Sequence, residues 1–533
     1  MAKDRIMILG AGVMQGPAIR IAKEMGLETV VVDGDASARH VKDADRFEPI
    51  DLKDKEGIER FARKIKEDLI EGRSGLSGIM TAGTDFSATV AWVSEKLGLP
   101  GIPYETALDA SDKSRMRARF EKAGVPSPAF TVVTSPPGAG FTLPLAFPVV
   151  VKPVDNMGSR GCRRVDSSAE LKDAVSAALG FSRSGRVIVE QYMDGPEYSV
   201  DAIVFNGEIT ICGLADRHIF YPPYFIEMGH TMPTVLDAAS QKALLDTFAA
   251  GVRALGLTLG AAKGDVKLTS RGPMIGEIAA RLSGGYMSGW TYPYASGVEP
   301  ARAAILACMG KKPDGLVPVK TWTSAERAFI SIPGTIRSIQ GLDQASSVPF
   351  VKDLFLRAAP GKSVRFPENN VSKCGNVISA AADRESAVGA AENAVRAVLI
   401  ELEAPNSETE AFLADTSSFP PSAFVLDQAL SDQLSAFPEP DPSVYTESPA
   451  ALPLAIFDFP ALTSSALTDY VGRSVSESLD ALRKLSGLPL PLVNGTGETG
   501  KKHRILGKKF WQAFVRGGYQ GAAYIINCFN RRE

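Results

Sequence analysis

Apolar and polar positions change period along the chain. Residues 5–9 form a short apolar run, followed by Gly10, Gly12 and Gly16 and then by helical spacing over 18–25. The run recurs at 29–33, ending on Asp33, and again at 78–81, with helical patterns over 56–69 and 87–97. Strand, turn and helix in repetition predict a parallel α/β unit. Such sheets bind ligands at the carboxyl ends of their strands. Residues 112–126 read as a helix with Asp112 as cap and Gly124-Val125-Pro126 as stop.

From there to about residue 300 the period falls to two. Apolar or alternating runs at 147–153, 186–192, 197–205 and 208–213 predict strands, with Asn206-Gly207 as a hairpin turn. An amphipathic helix is expected over 240–255. A second hairpin is expected from 266–268 and 274–278 around Ser270-Arg271-Gly272. Residues 320–404 read as a compact α+β unit ending in a helix over 385–402. Helical periodicity returns at 465–487 through Leu467, Val471, Val475, Leu479, Leu482 and Leu485. No internal repeat is found.

Composition refines this picture. With 533 residues, several domains are expected. The 58 basic and 61 acidic side chains leave −3, which excludes a chain basic throughout and a nucleic-acid role argued from bulk charge. Five scattered cysteines and four histidines exclude a disulfide scaffold, a structural zinc site and a histidine-rich metal centre. No run approaches the roughly 18–20 apolar residues of a membrane span, and the first apolar run is too short for a signal peptide. A cytoplasmic location is expected. Residues 405–450 hold eight acidic residues, seven prolines and no Lys or Arg, which predicts a linker acting as a mobile tether. Residues 501–533 carry eight Lys or Arg against one acid.

Four constellations could carry chemistry. Gly10, Gly12 and Gly16 with Asp33 downstream could approach a dinucleotide phosphate, although the spacing departs from GxGxxG and a tight strand-to-helix turn is the favoured reading. Lys152 ends a buried run and precedes Gly158-Ser159-Arg160-Gly161, a polar glycine loop that could fold over phosphates or be a solvated turn. Glu190 and Glu197 flank a strand–loop–strand junction and could hold the amino group of a base and a ribose; two surface glutamates are the plainer reading. Asp265 and Glu277 can face each other on the arms of the second hairpin, near Lys267 and Arg281. Paired carboxylates suit Mg²⁺ shared with substrate phosphates, or else form a solvated cross-strand pair.

Taken in order, these motifs resemble the ATP-grasp superfamily of carboxylate–amine ligases, over residue 1 to about 402. The resemblance implies a Rossmann-like pre-ATP-grasp α/β domain (1–110), a two-lobed ATP-grasp domain (111–310) and a small α+β lid (311–404). Beyond these would lie the acidic linker (405–450) and an extra C-terminal domain with a basic tail (451–533). It assigns Lys113 and Lys152 to ATP phosphates, Gly158, Ser159, Arg160 and Gly161 to the flap, Glu190 and the backbone at Tyr192 to adenine, and Glu197 to ribose. Asp265 and Glu277 would hold Mg²⁺ or Mn²⁺, with Arg281 on an acyl phosphate.

Within the superfamily, Glu227-Met228-Gly229-His230, Asp265-x-Lys267 and Glu277-x-Ala279-Ala280-Arg281-x-x-Gly284 are similar to the dipeptide-forming L-amino-acid ligases. That resemblance puts Glu227, His230, Arg281 and Gly284 at the amino-acid site. Without it, His230 reads as a structural histidine. The chain departs from the pattern at Lys263, where a histidine is usual, and at Asp265, where a glutamate is usual. Biotin carboxylases and purine-pathway ATP-grasp enzymes share the order of motifs, but their asparagine after the metal glutamate is absent here. The implied function is ATP-dependent joining of a carboxylate, an amino acid, to an amine through an acyl phosphate, by a homodimer acting on small molecules. An NAD-dependent oxidoreductase and a non-catalytic ATP-binding scaffold are the competing classes. In the tail, Phe510, Trp511, Phe514 and Val515 form a stripe among Lys501, Lys502, Arg504, Lys508, Lys509 and Arg516. The stripe is expected to dock on the protein with the lysines solvated, the alternative being an anionic partner. The tail is expected to be dispensable for ATP chemistry.

Overall fold

The computed structural model describes residues 3–68, 73–138, 140–440, 452–494 and 503–531. The chain divides into two compact units, Met1–Glu326 with Ala380–Val388, and Arg327–Ser379 with Gly389–Glu533.

The first unit opens with the expected parallel sheet, in the order Arg46–Glu48, Glu28–Val32, Lys3–Leu9 and Arg73–Thr81. Its alternate faces pack on helix Gly16–Glu24 and on helices Lys55–Glu67 and Ser87–Leu97, through Ile6, Ile8 and Val31 on one side and Met7, Leu9 and Val30 on the other. A helix not expected from the pattern, Tyr104–Ser111, fills the space before Asp112. Asp112 then caps helix Lys113–Ala123 by accepting from the amides of Ser114 and Arg115.

Two antiparallel sheets follow. One runs Phe130–Val133, Val187–Gln191, Val149–Pro153 and Arg163–Val165, backed by helix Ser168–Phe181. In the other, Gly272–Ala279, Leu259–Thr269, Glu197–Phe205, Glu208–Phe220 and Ile226–Met232 are successive neighbours. Helix Ala238–Leu255 covers it through Leu244, Phe248 and Val252, capped by Asp237 and stopped by Gly256 at φ +75°. Two strands outrun their sequence signal. The one expected over 208–213 continues to Phe220, and Ile226–Met232 is a fully buried strand. Both carry charged residues, Asp216 and Arg217 in one and Glu227 in the other, which break the apolar alternation.

In the second unit, Val351–Leu356 pairs with Gly375–Ala381, and Gly334–Gln340 lies between Ser363–Val364 and Leu399–Leu402. The helix expected over 385–402 stops at Ala397, because Leu399–Leu402 pairs with Gly334–Gln340 as a strand instead.

The tether expected over 405–450 is corrected. Ser407–Ala414 and Gln428–Ala436 are helices, capped by Asn406 and Asp427, and Phe412, Phe424 and Leu434 are buried. Phe424 stacks on Phe514 with ring centroids 5.1 Å apart. Averaged composition hid a few apolar residues that complete a neighbour's core. Residues 441–450 lie outside the described residues. The helix expected from 465 begins only at Val475, where Ser474 and Glu477 form a capping box; Gly472 at φ +79° turns the chain before it.

Helix Lys508–Arg531 carries the aromatic stripe into the core, with Phe510, Trp511 and Phe514 at most 1% exposed. Lys509 stays exposed as expected and Lys508 is half-buried, whereas Arg504 and Arg516 are buried and donate to the carbonyls of Leu452 and Phe412; Lys501 and Lys502 lie outside the described residues. All five cysteines are free thiols. No helix among the described residues is long and apolar enough to cross a membrane.

Candidate active site

The hairpin Leu259–Thr269 and Gly272–Ala279 sets Asp265 directly opposite Glu277. Lys113, held at the first position of its helix by the Asp112 cap, places Nζ 3.3 Å from Glu277 Oε1 and donates to the Asn156 carbonyl at 2.8 Å. Burial alone would raise the Glu277 carboxyl, but Lys113, Lys263, Lys152 and Arg281 bring it down to about 2. The Lys113 ammonium is held above the ordinary lysine range, because Glu277 and Asp85 outweigh the cost of burial.

Lys152 lies in the adjacent sheet, its Nζ 2.6 Å from Glu190 Oε2. The other oxygen of Glu190 accepts from Arg117 Nε at 2.8 Å, and Arg117 reaches on to the Gly276 carbonyl beside Glu277. Two cations therefore grip a buried carboxylate, and they hold Glu190 below the usual carboxylate range despite its burial. Gly158, Ser159 and Gly161 all have φ between +59° and +69°. A Cβ on Gly161 would lie 2.9 Å from the Phe181 ring, so this turn needs glycine there. Arg160 folds back, donating to the Met157 carbonyl. The Tyr192 ring lies beneath the Arg164 guanidinium and the Lys267 ammonium, at 4.6 and 5.3 Å.

Arg217, on Glu208–Phe220, joins three carboxylates. It pairs with Glu197, lies 3.0 Å from Asp265 Oδ2 and 2.7 Å from Glu227 Oε2. Asp265 also pairs with Lys263, and these two cations hold it below its ordinary value against the effect of burial. His230 sits 3.6 Å from Glu227 and directs Nδ1 to Glu326 at 2.9 Å. Over this pair passes Gly285 at φ +60°, where a Cβ would come within 2.8 Å of Glu227 Oε1.

Arg281 and Gly284 follow the hairpin. A bridge between Ala82 and Leu282 and the bond from the Gly83 amide to the Leu282 carbonyl stitch this segment to the carboxyl end of Arg73–Thr81. A Cβ on Gly284 would sit 3.5 Å from the Gly83 backbone. Arg281 Nε is buried with no acceptor among the described residues. Burial pushes the Asp85 carboxyl up, with Arg281 and Lys113 opposing. Beneath, buried Asp201 accepts from Ser283, and burial raises it to about 6.

The fold thus brings Lys113, Asp265, Glu277 and Arg281 together, with Lys152 and Glu190 beside them and Glu197, Glu227 and His230 linked through Arg217 or to one another. Arg217, Arg117, Asp85, Glu326 and Asp201 were not singled out in the sequence. The glycine turn at 10–16 is tied off from within. Asp33 accepts from the Ala11 and Asp35 amides, and Gln15 donates to the Ala82 carbonyl.

Mg²⁺ commonly takes one or two carboxylates and completes its shell with water and substrate phosphates. Asp265 and Glu277 supply hard oxygens on facing strands, and the donor set fits on that basis. No group of three or more His, Cys, Asp or Glu able to hold a metal occurs among the described residues.

Comparison with known proteins identifies three domains in the chain. Residues 19–101 match the ATP-grasp N-terminal domain, 145–289 the ATP-grasp domain and 328–403 the L-amino acid ligase C-terminal domain 2. Carnosine synthase 1 of Gallus gallus is 26% identical over 333 residues, covering 58% of this chain and 36% of that protein. A D-alanine–D-alanine ligase of Marinobacter nauticus is 30% identical over 223 residues, covering 38% of this chain and 63% of its own length. The crystal structure of an L-amino acid ligase from Bacillus licheniformis superposes with a TM-score of 0.65 at 20% identity, covering 76% of this chain and all of that one. Fold and site define an ATP-grasp protein. The chain carries ATP-grasp N-terminal and ATP-grasp domains followed by C-terminal domain 2 of L-amino acid ligases.

Proposed function

We propose that this protein joins the carboxylate of an amino acid to an amine at the expense of ATP, through an acyl phosphate. The observation that carries this reading is the set of Lys113, Lys152 and Arg281 acting on Glu277 opposite Asp265. Three cations and two hard carboxylates suit a transferring phosphoryl group.

In the first step a carboxylate oxygen of the amino acid attacks the γ-phosphorus of ATP and the bond to ADP breaks. Lys113 and Lys152 offset charge on the phosphates, Glu190 and Arg117 fixing the latter's position. In the second step the amine nitrogen attacks the acyl carbon, the C–O bond to phosphate breaks, and the nitrogen loses a proton. Arg281, with its unpartnered buried N–H, is suited to the acyl phosphate. Mg²⁺ held by Asp265 and Glu277 would neutralise phosphate charge when bound. The flap at 158–161 covers the phosphates and limits water, to which acyl phosphates are labile. Glu190 and the backbone at Tyr192 flank the adenine, and Glu197 takes the ribose. Glu227, steadied by Arg217 and near His230, takes the ammonium of the amino acid, while Gly284 and Gly285 leave room for it.

Incubation with ATP, Mg²⁺ and mixtures of amino acids, followed by ADP and product analysis, tests the reading. ADP formed together with a dipeptide supports it. Absence of ADP with every carboxylate and amine pair overturns it.

A further inference from the structure

The second unit contains a cavity that the proposed chemistry does not use. It has a volume of about 380 Å³ and is lined by Arg357, Lys362, Ser363, Arg365, Ser372 and Lys373, with short apolar stretches between them. That size falls in the range of small-molecule sites, about 300–1,000 Å³. The local backbone builds it. Val351–Leu356 ends at Arg357, whose amide donates to the Cys374 carbonyl, and the chain then turns through Gly361 at φ +77° into Ser363–Val364. Residues 365–374 close the other side, with the Ser372 hydroxyl and the Val371 amide both donating to the Asn369 side chain.

The charge pattern is lopsided. Four cations converge on one concave surface that has no acidic lining residue. Glu408 borders the cavity, accepting from the Ser363 hydroxyl at 3.4 Å and lying 3.9 Å from Arg365. Arg365 nevertheless remains 78% exposed at the rim, whereas Lys373 is 5% exposed at the floor. Like charges gathered in a concavity raise its potential and repel one another, a cost that a bound anion offsets. Two guanidiniums offer planar forks matched to the oxygens of a phosphate, and two ammoniums add point charge.

We propose that this cavity is a binding site for a multiply charged oxyanion, of the kind carried by phosphomonoesters and diphosphates. It includes none of the residues assigned to ATP and amino acid, so it does not depend on that assignment.

The test is calorimetric titration of the full chain with inorganic pyrophosphate. It is run with a saturating non-hydrolysable ATP analogue present, so that the proposed nucleotide site does not report. The wild-type protein is expected to bind, and K362Q/R365Q to bind at least tenfold more weakly with an unchanged circular dichroism spectrum, since both side chains are exposed. Pyrophosphate is also expected to protect Lys362, but not the exposed Lys242 of the first unit, from acetylation read by mass spectrometry. Identical isotherms for wild type and variant, or equal acetylation with and without pyrophosphate, overturn the proposal. Citrate serves as the carboxylate arm. Competition by citrate identifies a site reading any clustered oxyanion, and failure to compete identifies a phosphoryl-specific one; both keep the assignment.

Discussion

Arg217 Nη1 lies 3.0 Å from Asp265 Oδ2, and the same guanidinium holds Glu197 and Glu227. One side chain therefore links the residues assigned to metal, ribose and substrate ammonium. Removing it leaves three largely buried carboxylates short of a partner, a defect that costs roughly 3–5 kcal/mol where a buried pair is broken. Arg217→Gln is expected to raise the Michaelis constants for both ATP and amino acid and to lower kcat/KM by about 100-fold. Steady-state kinetics with each substrate varied in turn check this, and a rise in only one constant would confine Arg217 to one subsite.

Lys152→Ala and Glu277→Ala are each expected to abolish most turnover while the fold persists. Lys152 loses its charge at the phosphates and leaves Glu190 with Arg117 alone; Glu277 removes one of two opposed carboxylates. A fall in kcat of about 100-fold or more is the expected scale for losing such electrostatic stabilisation. Wild-type rates at saturating ATP and Mg²⁺ would refute the phosphate and metal assignments.

Glu227→Gln keeps the size of the side chain and deletes its charge. An ammonium taken out of water needs a charged partner, so the Michaelis constant for the amino acid should rise about tenfold or more while that for ATP changes little. An unchanged amino-acid constant would remove Glu227 from substrate recognition.

Asp201 gives a pH signature. Burial raises its folded-state value to about 6, above the ordinary 3.8. The folded state therefore binds the proton more tightly than the unfolded one, and the contribution is favourable below about pH 4 and is lost as pH rises through 6. Asp201→Asn escapes that loss. Relative to wild type, its melting temperature should gain between pH 5 and 8, by an amount corresponding to about 1.4 kcal/mol. A difference between the two proteins that is flat across this range would show that Asp201 does not titrate there.

Truncation after residue 404 is expected to cost folded protein, contrary to the behaviour of a tethered tail. Trp511, Phe514 and Phe424 belong to one core with Leu399, and the Tyr519 hydroxyl accepts from the Ile400 amide at 2.8 Å. Trp511→Ala alone should destabilise by about 3–5 kcal/mol, the usual cost of emptying a large aromatic site. A soluble truncate with an unchanged spectrum and melting temperature would restore the tether.

The sequence made the order of the motifs readable because their signals are local. A lysine ends a strand, glycines follow, and carboxylates oppose each other across a short turn. Asp265 and Glu277 could be paired by counting back from Ser270-Arg271-Gly272, and the fold pairs them so. Arg217 could not be found that way, since its three partners come from three other strands and its charge disguises the strand it occupies. The same disguise hid Ile226–Met232, where Glu227 and His230 sit on fully buried backbone. Residues 405–436 were misread for a different reason. Composition averaged over a window weighs charge and proline, whereas Phe412, Phe424 and Leu434 find their partners about 80–100 positions later in the chain.

Gln520 ties the last described helix to strands made much earlier. It accepts from the Ile332 amide at 3.3 Å and donates to the Ser331 hydroxyl and the Ile400 carbonyl, all buried. Ile332 and Gln520 are 188 residues apart. At about 5–20 residues per second on the ribosome, the amide of Ile332 waits roughly 10–40 s for its acceptor. The first unit can settle while synthesis continues, but the second must be held open until its distant helix arrives. A nascent chain stalled before residue 508 should therefore expose the edge strand Leu399–Leu402, and should recruit chaperones in proportion to the length of the pause.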